Sequence, residues 1–246
     1  GLVALLLYGL TRSAVATLVG STFFLLTPIS TEAVNYATGR SELLAVAGIV
    51  GAVVVAMTGW WLLALVPLGL AVLSKESAII GIVLVWLIVW AKFRKAWMGW
   101  MLMWHVVVVG IICLLAAEAS ARTSSFSWVI LQSCALLRLL WLSVVHVGLT
   151  VEPNPMAISI LWQVAAWLLL VALGNLVWHA RKVMPIIACG IGWILLSMLP
   201  RFLVQPQQYG DPLNEHQFFL ALVGVAIVVA GLVRPGGIPS QLCEEE

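Results

Sequence analysis

The stretch that decides the fold is GRSELLAVAGIVGAVVVAMTGWWLLALVPLGLAVLSKE, residues 39–76. Two apolar runs, 43–58 and 60–74, follow each other with no charge between them, and Arg40, Glu42, Lys75 and Glu76 stand only at the outer ends. A charge at the middle of a membrane helix costs roughly 2.5–3.5 kcal/mol on insertion scales. The pattern therefore predicts two membrane helices whose charged ends share one water-facing surface. A membrane barrel is excluded, because barrels need period-2 alternation and these runs are apolar on every face.

The rest of the chain extends this reading. Of its 246 residues 63% are hydrophobic and 9% charged, with a mean hydropathy of +1.12; soluble domains carry about 25% charged residues. The predicted fold is all-α, a polytopic transmembrane helix bundle. Apolar runs lie at 1–10, 14–29, 43–58, 60–74, 77–91, 97–117, 128–147, 157–178, 184–200 and 217–233. At about 20 residues per span they leave room for about eight to ten membrane segments, the shorter ones borrowing residues from their flanks. Residues 1–233 make the transmembrane domain, and 234–246, RPGGIPSQLCEEE, read as a polar, disordered tail. Residues 1–10 amount to half a span, so an N-terminal helix and loop are expected to precede residue 1.

Charge placement orients the chain. If Lys92, Arg94 and Lys95 lie in the cytoplasm, Arg12 also falls inside, and the loops around Glu32 and Lys75 fall outside. From the other end, placing His179, Arg181, Lys182 and Arg234 inside leaves 201–216 outside. The two halves agree if 128–147 makes no simple crossing, which predicts a re-entrant segment or one along the outer interface. Seven acidic residues precede the tail (Glu32, Glu42, Glu76, Glu118, Glu152, Asp211 and Glu215), and this threading puts all of them outside. Acidic residues contribute little to topology, so a polar site explains their one-sidedness better.

The net charge of +2 and the single short basic cluster AKFRKAW point to a cytoplasmic flank and to no nucleic acid. Cys113, Cys134, Cys189 and Cys243 have neither disulfide nor metal-ligand spacing. The thirteen tryptophans include Trp60, Trp61, Trp97, Trp100, Trp104 and Trp178 near expected cytoplasmic ends, which is an aromatic belt rather than a sugar platform.

Four polar stretches break the apolar pattern. In TPISTEAVNYATGRSELL, residues 27–44, Pro28 closes one helix and Ser41 opens the next, and Arg40 can pair with Glu32 or Glu42. In LSKESAII, residues 73–80, Lys75 can hold a phosphate with Glu76 orienting it, or can simply snorkel. HVGLTVEPNP, residues 146–155, offers His146 and Glu152 to a cleft or serves as a connector. PRFLVQPQQYGDPLNEH, residues 200–216, has Asn214 and Glu215 suited to a helix start, which leaves Arg201 and His216 without a capping role.

Taken in order, these stretches resemble the motifs of GT-C membrane glycosyltransferases of the kind that carry tetratricopeptide repeats, relatives of the protein O-mannosyltransferases. TPISTEAV followed by GRSELL is similar to the family's His-Pro-Ile-His-Thr-Glu-Ala-Val and Gly-Arg-x-Glu-Leu-Leu. LSKES looks like its next motif, LRLL with HVGLTVE like its Leu-Arg and Pro-His-x-Leu-Ser-x-Asp-Tyr, and NEHQFFL like its Asn-Glu-His-Arg-x-Tyr-Leu. The resemblance covers about residues 5–232. It implies a GT-C-like fold and transfer of a sugar from a polyprenyl- or dolichyl-phosphate carrier to a protein or glycan acceptor. The motif loops would then be extracytoplasmic, in a bacterial inner membrane or the endoplasmic reticulum.

The expected donor and substrate cleft comprises Glu32, Arg40, Glu42, Lys75, Glu76, His146, Glu152, Arg201, Glu215 and His216. The family's catalytic acid belongs to a loop before residue 1, and a divalent metal is compatible with the chemistry. The chain departs from the family at Thr27 and Ser30, which stand where it has histidines, and at Gln217-Phe218-Phe219. A transporter or flippase of a lipid-linked substrate, and a non-catalytic membrane scaffold, are the competing readings.

Overall fold

The computed structural model describes residues 1–30, 39–93, 122–123, 126–145, 160–205 and 218–234. Helices form along the apolar runs because, away from water, a backbone that satisfies its own N–H and C=O groups is the least costly one. They are α1 (Leu2–Thr11), α2 (Ala14–Leu26), α3 (Gly39–Met57), α4 (Trp61–Ser74), α5 (Gly81–Phe93), α6 (Phe126–Val145), α7 (Ile160–Val183), α8 (Pro185–Leu203) and α9 (Phe219–Val233). A 3-10 helix, Glu76–Ile80, joins α4 to α5, and two-residue strands β1 (Arg122–Thr123) and β2 (Val204–Gln205) pair antiparallel.

Short links enforce antiparallel neighbours. Between α1 and α2 the chain turns on Arg12 in the left-handed region, φ 53°, and Ser13 caps α2 by accepting a hydrogen bond from Ala16 N at 3.3 Å. Between α3 and α4 the turn uses Gly59 at φ 92°, a conformation that glycine adopts without a Cβ penalty. Only Met184 separates α7 from α8.

Helix packing runs from α1 to α2, α2 to α9, α9 to α8, and α8 to α7 and α5, with α3 holding α1, α4 and α5. Backbones approach closely at small residues. A Cβ on Gly190 would stand 2.8 Å from Gly224 O, and one on Gly224 would stand 2.8 Å from Gly190 O. One on Gly48 would lie 2.5 Å from Pro67 O and 2.7 Å from the Ala71 Cβ. Such close approach is how helices gain packing energy where lipid removes the hydrophobic drive. Trp193 locks the α8–α9 seam, its buried indole N–H donating to Leu220 O at 2.9 Å.

The antiparallel order gives the bundle two ends. The upper end collects the end of α2, the start of α3, the turn after α4, the end of α8 and the start of α9. The lower end collects Arg12, Arg181, Lys182, Arg234 and the last turn of α5 with Lys92. This is the grouping of basic residues expected from their sequence positions.

The surface is apolar and part of the interior is polar. Leu161, Trp162, Leu168, Val171, Leu176 and Trp178 project outward from α7, while Gln132, Ser133 and Ser143 of α6 are buried. Among the described residues three helical stretches are long and apolar enough to cross a membrane: Arg40–Met57, Leu161–Val183 and Pro185–Phe202. The other apolar helices are shorter.

Several boundaries differ from those expected. Helix α3 starts at Gly39, so Ser41 sits inside the first turn rather than capping it, and Arg40 and Glu42 belong to the helix. Helix α7 runs on to Val183, carrying Arg181 and Lys182 in its last turn. Helix α8 continues through Pro200 to Leu203, which places Arg201 on a helix. The segment expected to be re-entrant or interfacial contains one unbroken helix, α6, which starts three residues after β1 and so beside the end of α8. The run 97–117 and the tail 235–246 lie outside the described residues.

Candidate functional site

The site is set by the register of the α3–α4 hairpin. Contact at Gly48 against Pro67 and Ala71 fixes how far one helix slides along the other. Glu42 lies six residues from Gly48 and Lys75 four residues from Ala71, both toward the upper end; at 1.5 Å per residue these are about 9 Å and 6 Å. The two positions thus differ in height by about 3 Å, a gap that the long Lys75 side chain closes. The Lys75 Nζ donates to the Glu42 Oε1 in an ion pair that links positions 33 residues apart. The Glu42 side chain keeps 9% of its exposure and that of Lys75 28%, so the carboxylate is enclosed while the ammonium reaches the surface.

Local structure explains both placements. Glu42 occupies the first turn of α3, where the helix dipole favours an anion. Lys75 leaves α4 in extended backbone, φ −159° and ψ 129°, and its N–H donates to Ala71 O at 3.0 Å. The 3-10 helix that follows packs on α4 and α3, and at the start of α5 a Cβ on Gly81 would meet Ile49 at 2.7 Å and Leu68 at 2.8 Å. The same 3-10 helix packs on α8, which ends in Arg201 and the residues around it.

Arg201 is half-buried, and its guanidinium carbon lies 4.8 Å from the centre of the Phe218 ring. A guanidinium on an aromatic face keeps its charge and gains from the ring quadrupole. Phe219, next in the chain, meets Phe24 of α2 with ring centroids 5.2 Å apart. Helix α9 also touches α3. The ends of α2, α4 and α8 and the starts of α3 and α9 thus lie at one end of the bundle.

Thr27 and Ser30, standing where the resembled family has histidines, lie at the end of α2 in the same region. The Thr27 hydroxyl donates to Phe23 O at 2.7 Å, and the Ser30 hydroxyl to Thr27 O at 2.7 Å. Both residues are buried. Their hydroxyls terminate the helix, a local task that short hydroxyl side chains perform well.

Of the expected cleft residues, the fold brings Glu42 and Lys75 into contact and puts Arg40 and Arg201 at the same end, with Arg40 exposed. Of the two partners expected for Arg40 within 27–44, Glu32 lies outside the described residues and the Glu42 carboxylate is held by Lys75. Glu32, His146, Glu152, Glu215 and His216 lie outside the described residues, as does the side chain of Glu76. Among the described residues no group of three His, Cys, Asp or Glu side chains converges as a metal ion requires. Cys134 and Cys189 are free thiols.

Phe218, Gln132 and Ser133 were not among the expected site residues. Phe218 sits on a departure from the family pattern, Gln217-Phe218-Phe219, and that was the available signal. Gln132 and Ser133, side by side in an apolar run, are the polar pair that a membrane interior would conceal.

No protein family, no curated protein and no solved structure matches this chain.

Proposed function

We propose that the chain is the membrane core of a GT-C-like glycosyltransferase, which moves a sugar from a polyprenyl- or dolichyl-phosphate donor to an acceptor outside the cytoplasm. The observation that carries this reading is the contact between Glu42 and Lys75. It joins two stretches that resemble successive motifs of one family and lies at the end where Arg40 and Arg201 also stand. The apolar exterior, the buried polar residues of α6 and the basic lower end support a multi-pass membrane protein with that lower end cytoplasmic.

On this reading the donor's lipid tail lies against the apolar helix surfaces and its phosphate meets cations at the upper end. The acceptor oxygen attacks the anomeric carbon as the bond from that carbon to the phosphate oxygen breaks, and the electron pair goes to the phosphate. Lys75, Arg40 and Arg201 offset the negative charge that grows there, which is electrostatic stabilisation of a leaving group. The acceptor's proton goes to a carboxylate outside the described residues. Glu32, Glu76, Glu215 and His216 would organise the cleft.

The test is binding of a polyprenyl-phosphate-linked sugar to the protein in lipid nanodiscs. Lys75→Ala and Arg40→Ala should each weaken it at least about tenfold, or about 1.4 kcal/mol. Absence of binding, or binding indifferent to both substitutions, would remove the reading. A second reading, a flippase for a lipid-linked substrate, draws on the buried Gln132 and Ser133 of α6. It predicts transport of the lipid across vesicles without sugar transfer.

A further inference from the structure

Lys75 does not face the upper surface as an isolated cation. Its ammonium already holds the Glu42 carboxylate, and that carboxylate is the more enclosed of the two. A phosphate approaching Lys75 therefore meets a pair of near-zero net charge. It must share the three N–H donors of the ammonium with a second anion a few ångströms away. Glu42 cannot withdraw easily. It is anchored in the first turn of α3, and the Gly48 contact with Pro67 and Ala71 prevents that helix from sliding along α4.

Repulsion between the carboxylate and an incoming phosphate scales with the phosphate's charge. A lipid phosphodiester carries one negative charge, whereas the phosphomonoester left after sugar transfer carries about 1.5 to 2 at neutral pH. A carboxylate fixed beside the phosphate-binding lysine thus weakens the monoester more than the diester. We infer that Glu42, fixed beside Lys75, makes the site prefer the sugar-loaded lipid phosphodiester over the spent lipid phosphate and so favours product release. This inference rests on the glycosyltransferase reading of the same site.

The experiment compares three ligands of equal chain length (polyprenol, polyprenyl phosphate and a polyprenyl-phosphate-linked sugar) binding to the full chain in lipid nanodiscs. Proteins are the wild type, Glu42→Gln, Glu42→Asp, Lys75→Gln and the double variant Glu42→Gln/Lys75→Gln. In Glu42→Gln the diester should bind about threefold tighter and the monoester about the square of that, roughly tenfold, because its charge is nearly double; polyprenol should be unchanged. Glu42→Asp, which keeps the charge but draws it back from Lys75, should fall between wild type and Glu42→Gln. In the Lys75→Gln background the carboxylate faces the phosphate without its cation, so Glu42→Gln should again tighten the monoester more than the diester, and by at least as much as in the wild type.

Equal tightening of both phosphates would overturn the discrimination. Equal weakening of all three ligands would make the pair a structural latch and overturn it too. If the wild type binds neither phosphate lipid, the glycosyltransferase reading itself falls, an outcome distinct from the other two because no variant is needed to see it.

Discussion

Gly48→Ala and Gly69→Ala place the same methyl group on the two arms of one hairpin, in opposite surroundings. At Gly48 the new Cβ would lie 2.5 Å from Pro67 O and 2.7 Å from the Ala71 Cβ, against an ordinary contact of 3.4 Å or more; at Gly69 it would meet nothing within 4 Å. A backbone oxygen cannot rotate aside, so α3 and α4 must part by about 0.9 Å where they cross. Overpacking of this kind costs about 1–3 kcal/mol. Each substitution also gains helix propensity, about 0.8–1.0 kcal/mol, by replacing glycine with alanine inside a helix. That gain is common to both, so the difference between the variants isolates the steric cost, about 2 kcal/mol. For a chain of this size it corresponds to a gap in Tm of roughly 4–8 °C. Thermal unfolding in detergent micelles, followed by circular dichroism, measures it: Gly69→Ala should melt at or above the wild type and Gly48→Ala clearly below. Equal melting would refute the hairpin register, and with it the reason Glu42 and Lys75 meet.

The other predictions test the seam, the upper end and the sidedness. Trp193→Phe removes the bond to Leu220 O and leaves a small void between α8 and α9; it should cost about 1–2 kcal/mol, read by the same melting assay. Arg201→Gln and Phe218→Leu, alone and combined, should show a coupling of roughly 0.5–2 kcal/mol in a double-mutant cycle, and additive effects would refute the cation–π contact. Arg12 and Arg40 are both exposed at opposite ends of the bundle, so in a background without the native cysteines Arg12→Cys and Arg40→Cys should react with an impermeant maleimide from opposite sides of sealed vesicles. Labelling from one side only would refute the threading.

Helix positions were legible in the chain because transfer out of water is a property of residue types and needs no knowledge of neighbours. The runs 43–58 and 60–74 announced α3 and α4, the second to within a residue and the first missing four residues at its start. The basic grouping of Arg12, Arg181, Lys182 and Arg234 followed from counting crossings. Boundaries failed where a helix could extend through polar residues at the water interface at little cost, as at Arg40 and Glu42, at Arg181 and Lys182, and at Arg201. Sequence alone therefore determined that this chain is a set of apolar helices with most of its charges near their ends, Arg138 within α6 excepted, since hydropathy is local and additive. Only the tertiary structure decided which charges meet. Glu42 pairs with Lys75, 33 residues away, rather than with Arg40 two residues away, because the missing side chain of Gly48 lets α4 press against α3 at one register and no other. That choice depends on the shapes of two surfaces together, which neither helix carries by itself.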